Sequence, residues 1–328
     1  MKTNHVLGIA MVTGIVIILI IFFMGNPGNS IPSIKAEKTG SSSVQEDPSS
    51  TVAGQLSHTL VLNGLSPQPV EKILVYKVVH PQYTRQDIIL LAQKFNISPI
   101  GQVKEVTEGS SIASEDGMIY AIMKNSGSIE YTNSNRAHTV NPMDVPGNLP
   151  SDEEAVKIAT KFLRERDLLP EGAVFIGTEQ GKIFITVTDG DDIVTWEDVQ
   201  VWYGRELNGL KVKGTKISID VGGGGDIIDY YSNWRNYEPY KEYPVKSPEK
   251  AFDELKTRGV SVGMNKEGTV SINNAFLAYY TKPGAETEEY LEPVWVFKGD
   301  VMVDGKSVKS VEEYIPALTD DAVKSLSS

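Results

Sequence analysis

The chain has 328 residues, 31 of them Lys or Arg and 43 Asp or Glu, for a formal net charge of −12, and it contains no cysteine. This acidic balance repels nucleic-acid phosphates and anionic lipid, both of which are bound through Lys and Arg. The missing thiols exclude a disulfide framework, a cysteine nucleophile and a thiolate metal site.

Residues 6–24, VLGIAMVTGIVIILIIFFM, carry no charge. As a helix they span about 28 Å, close to a hydrocarbon core. The run is longer than the apolar region of a cleaved secretory signal, and it ends in FFMGNPG without an A-x-A-type site. Residues 1–25 therefore read as an uncleaved single-pass anchor in a cell membrane. Lys2 lies on the short head side, which favours a cytoplasmic N-terminus and an extracytoplasmic body. Residues 26–66 are rich in Ser, Gly and Pro; they cannot bury enough surface to offset chain entropy and read as a flexible linker with a reach of roughly 30 Å.

Three capped amphipathic helices follow, each succeeded by β-type sequence. In the first unit, 67–145, Thr84 is an N-cap with Asp87 three residues on, and Ile88, Leu91, Ala92 and Phe95 share one face. The strand-like GMIYAIMK and GSIEYTN come after it, joined at Asn125 and Ser126. In the second, 146–240, Ser151 and Glu154 form a capping box ahead of a stripe of Ala155, Ile158, Ala159, Phe162 and Leu169. In the third, 241–318, Ser247 caps, Pro248 opens and Gly259 stops a helix. Residues 319–328 read as a tail. The expected fold class is α+β: repeated units of one helix packed on an antiparallel sheet, preceded by the transmembrane helix.

Gly222 to Gly225 stand between KISIDV, which alternates as a half-buried strand, and the β-type IIDYY. A phosphate loop needs a helix opening behind the glycines or a Lys-Ser/Thr pair. Neither is present, and the glycines read as a hairpin turn.

No catalytic constellation stands out. The four histidines are scattered, and H-E-x-x-H does not occur. Asp189, Asp191, Asp192, Glu197 and Asp198 cluster in one loop without the register of a calcium site, and Glu286, Glu288 and Glu289 fall in another; both read as solvated. Asn96 sits in an N-x-S acceptor pattern. No catalytic, metal or cofactor residue is assigned. Aromatics crowd the second unit, and strand neighbours point to opposite faces, so one of Trp202 and Tyr203 faces away from a single core. Trp202, Tyr203, Tyr231 and Trp234 are the candidate partner-binding residues.

EEAVKIATKFLRERDLLPEGA followed by VQVWYGRELNGLKVKGTKISIDVGGGG resembles the PepSY-type repeat, with Arg205, Asn208, Gly209 and Val212 in its R-x-x-N-G-x-x-V pattern. SPEKAFDEL with NNAFLAYYTKPGAETEEYLEPVWVF is similar to the carboxy-terminal unit of the YycH and YycI regulators, through Leu277, Tyr279, Tyr280, Leu291, Pro293, Val294 and Trp295. The resemblance implies a membrane-anchored extracytoplasmic module that restrains a sensor kinase or a protease, or assists its folding. The expectation is therefore a non-enzymatic regulatory protein with a protein partner, no cofactor and no nucleic acid. Two alternatives stand beside it: an envelope hydrolase using the acidic-loop carboxylates, and a small-ligand sensor whose groove is lined by the aromatics.

Overall fold

The computed structural model describes residues 59–63, 70–97, 103–106, 109–113, 118–137, 147–185, 193–260 and 268–327. The anchor at 6–24 and most of the linker lie outside them. Among the described residues no helix is long and apolar enough to cross a membrane.

In chain order the elements are β1 (Thr59–Leu62), β2 (Lys72–Val79), α1 (Arg85–Gln93), β3 (Lys104–Val106), β4 (Gly109–Ala113), β5 (Met118–Met123), β6 (Ile129–Asn133) and α2 (Asp152–Glu165). Then come β7 (Ala173–Ile185), β8 (Ile193–Leu207), β9 (Leu210–Val221), β10 (Ile227–Asn233), β11 (Asn236–Pro244) and α3 (Pro248–Arg258). The chain continues with β12 (Thr269–Tyr280), β13 (Tyr290–Val303), β14 (Lys306–Pro316) and α4 (Asp320–Ser327).

The helices start where their caps require. Thr84 Oγ1 accepts from the Asp87 amide at 3.3 Å while Asp87 Oδ2 accepts from the Thr84 amide at 2.8 Å. Ser151 and Glu154 repeat this reciprocal pair at 3.4 and 3.0 Å. Ser247 accepts from the Lys250 amide, and α3 stops at Gly259 with φ 81°, a conformation that costs a side-chain-bearing residue more than glycine. The expected tail is instead α4, with Ala322 and Leu326 buried.

The α+β content holds, but the expected organisation does not. The fourteen described strands form one connected, mixed sheet rather than a series of separate antiparallel ones. β6, from the first expected unit, pairs with β10 of the second. β2 lies between β11 and β13, and β12 runs parallel to both β1 and β9. The physical reason lies in the helices. α1 supplies Ile88 and Ala92, and α2 supplies Ala155, Ala159 and Leu163, to one core over Tyr120, Ile122, Ile217 and Ile219. One helix on a few short strands buries too little to stand alone, so the first two expected units share this core.

A second core joins α3 and α4 to Tyr279, Leu291, Trp295 and Phe297. Trp295 is enclosed, and its indole N–H donates to the Lys246 carbonyl at 3.0 Å. β9 serves both cores: Val212 enters the second, whereas Ile217, Ile219 and Val221 enter the first. Even-numbered and odd-numbered residues of one strand face opposite ways, so the chain must change parity between them. Gly214 lies in that interval with φ 83°, and a Cβ there would sit 2.2 Å from the Thr281 carbonyl oxygen. Gly214→Ala is expected to lower stability by about 2–4 kcal/mol, combining left-handed strain with the clash. A urea titration checks this, with the midpoint falling while the slope stays unchanged.

Candidate partner-binding surface

β7 opens with Val174, Phe175 and Ile176, and three successive apolar residues in a strand cannot all face one core. They are 36, 52 and 61% exposed. Among the described residues β7 pairs with β8 alone, so its other edge is open. The register pairs Phe175 with Tyr203 and Gly177 with Trp202, leaving Ile176 as the extra residue of a bulge. Phe175 meets the Tyr203 ring edge-on at 6.0 Å. Ile176 Cγ2 lies 3.2 Å from where a Cβ on Gly204 would be, so glycine there provides its seat. Gly204 and Trp202, two apart on β8, share a face, and Ile176 extends that face to the edge.

Across β8, β9 and β10 this face continues through a cation held between two rings. Lys216 Nζ stands 4.7 Å from the Trp202 ring centroid and 5.5 Å from that of Tyr231. Burial pushes the Lys216 ammonium down from its ordinary pKa, against the opposing pull of Asp220. Burial, with help from the charge of Glu130, pushes the Tyr231 phenol up to about 12. Glu130 pairs with Tyr231 across the β6–β10 ladder, and its own carboxyl is raised by burial.

The four candidate aromatics therefore part company. Trp202 and Tyr231 flank Lys216. Trp234 takes the Arg205 guanidinium at 4.8 Å, with Tyr237 at 4.8 Å from the same group. Tyr203 requires a correction: it is only 4% exposed, belongs to the first core, and its hydroxyl lies 2.7 Å from Thr160 Oγ1. Alternation with the buried Val199 and Val201 draws it inward.

The motif residues are structural. Asn208 and Gly209, with φ 50° and 74°, turn β8 into β9 between the paired Leu207 and Leu210, as an Asn-Gly hairpin does. Arg205 donates to the Arg235 carbonyl at 2.5 Å, and Val212 is core. The glycine quartet is a turn between β9 and β10, with Gly224 at φ 77°. Arg136 braces it through Asp226 at 2.7 Å.

The acidic loops differ from expectation. Asp189, Asp191 and Asp192 lie outside the described residues, and Glu197 falls on β8. Asp198 is 2% exposed, with its carboxylate where a Cβ on Gly181 would sit. Glu288, expected in a wet loop, is 2% exposed and faces Arg235. Among the described residues no group of three or more His, Asp or Glu is placed to hold a metal ion. Clefts of about 420 and 400 Å³ flank the segment leading into α1, and Gln82 and Tyr83 line both.

No family model matches the chain, and no curated protein matches it. Among solved structures it is similar to an uncharacterized protein from Eubacterium rectale, at 12% identity over 80% of this chain and 88% of that one, with a TM-score of 0.44. A likeness at that level carries neither a fold assignment nor a function.

Glu292 is a buried carboxyl whose Oε1 has no hydrogen-bond partner. Burial pushes it from the ordinary 4.5 up to about 7, against the pull of Lys282 and Lys246 and with a push from Glu288. Such a group suits acid–base chemistry, yet it lines neither cleft. Its effect falls on stability. Between 4.5 and about 7 the folded chain holds a proton that the unfolded chain has released, so this contribution is complete below that window and is lost as pH rises through it. Glu292→Gln is expected to match the parent at about pH 5 and to exceed it by about 1–3 kcal/mol at about pH 8. Urea midpoints at the two pH values check this.

Proposed function

We propose that this chain is a non-enzymatic binding module, held at the outer side of a cell membrane by residues 6–24, that restrains or assists a membrane or secreted protein such as a sensor kinase or a protease. The observation that supports this reading is the open edge of β7, where Val174, Phe175 and Ile176 are exposed and continuous with the face of Trp202. An exposed strand edge bearing large apolar groups is a template for another chain, and natural sheets usually guard theirs. The regulatory role rests on the PepSY and YycH/YycI resemblance; the aromatic and apolar side chains supply the anchor types that dominate protein interfaces.

A photo-crosslinking residue in place of Ile176, in the full chain in its own membrane, tests this. One discrete adduct is expected, weakened by Phe175→Ser, with none when the label replaces Asp304 in the β13–β14 turn. Equal labelling from the two sites, or none from either, contradicts the proposal.

A further inference from the structure

Two other edges, those of β11 and β14, show what β7 lacks. β11 carries Pro239, Lys241, Glu242 and Pro244, and β14 carries Lys306, Lys309, Glu312 and Glu313; proline and charge are the devices that keep strand edges from pairing. The first half of β7 has neither between Ala173 and Thr178. Its charges stand just outside this stretch: Glu171 before the apolar triplet and Glu179 after it, both exposed.

That arrangement selects among occupants. A second copy would pair antiparallel about a two-fold axis, and the register that sets the triplet on itself centres on Phe175. In that register Glu171 faces Glu179 of the second copy at both ends, which is destabilising for like charges directly opposite. Each edge also carries the bulge at Ile176, so two irregular edges would have to match. Two chains, each of formal charge −12, add long-range repulsion. A foreign strand meets only one bulge, and with Lys or Arg four residues to either side of its centre it turns both repulsions into attractions.

Resting on the binding-module reading above, we infer that the open edge of β7 takes up an extended segment of the partner, apolar at its centre and basic at both ends, as an added strand. Main-chain hydrogen bonds supply adhesion and alternate side chains supply selection. Val174 and Ile176 address one face of the added strand and Phe175 the other.

The test uses the full chain and two labelled nine-residue peptides, Lys-Thr-Thr-Val-Ile-Val-Thr-Thr-Lys and the same sequence with Glu at both ends, followed by fluorescence anisotropy. The Lys-ended peptide is expected to bind at least about tenfold more tightly than the Glu-ended one and to weaken as salt rises. Ile176→Asp should cost about tenfold or more. The double variant Glu171→Lys, Glu179→Lys should reverse the preference, which guards against a folding defect in the first variant. Equal binding of both peptides, no binding of either, or indifference to Ile176→Asp overturns the inference. A discrete photo-adduct at Ile176 without peptide binding overturns the added strand and leaves the binding module standing; absence of both overturns both. Sedimentation of a dimer that Ile176→Asp dissolves would make the occupant a second copy and overturn the foreign strand.

Discussion

The structure depends on one buried arginine. Arg235, 1% exposed, follows β10 and reaches into the β12–β13 loop. There it donates to Thr281 Oγ1 at 2.9 Å and to the carbonyls of Lys282, Pro283 and Glu286 at 2.5, 3.0 and 2.6 Å. Its counter-ion Glu288 lies 3.5 Å away and is equally enclosed. Thr281 accepts from Arg235 and from the Tyr237 hydroxyl and donates to Glu288, so the hydroxyl is fully used. Burial pushes the Glu288 carboxyl up even against Arg235. Enclosing this pair is costly, and its worth lies in fixing one arrangement of chain.

That arrangement locks distant segments together. Asn233 donates to the carbonyls of Gly214 and Lys282 and accepts from Ser128. Gly284 comes so close that a Cβ would lie 2.4 Å from Ser128 Oγ. The β5–β6 turn, the parity change in β9, the end of β10 and the β12–β13 loop thus meet at one point, between the two cores. With β9 held there, β8 is held by its ladder to β9 and β7 by its ladder to β8. The proposed binding surface falls on β7 because, among the described residues, nothing pairs beyond it.

Local features of the fold were legible in the sequence. Capping pairs, the Asn-Gly turn and the glycine turn act through residues within a few positions of each other, and those interactions leave local signatures. Strand order did not, because β6 meets β10 and β2 meets β13 through contacts that no neighbouring residue specifies. Glu288 looked solvated because its hydrophilic surroundings hide a partner 53 positions away, Arg235. The candidate surface was half legible. Trp202 and Tyr231 do share one face beside Lys216, whereas the alternation Val199, Val201, Tyr203 already pointed Tyr203 inward. The run Val174, Phe175, Ile176 also broke strand periodicity, a signal that sequence reasoning passed over.

The most direct test of the account is hydrogen exchange on the full chain carrying Arg235→Met, which leaves Glu288 buried without its counter-ion, a change that costs about 3–5 kcal/mol. The account requires amide protection to fall together in β6, β9 and the ends of β12 and β13, because all are tied through the same point. Loss confined to the β12–β13 loop, with β6 and β9 as protected as in the parent chain, would contradict it.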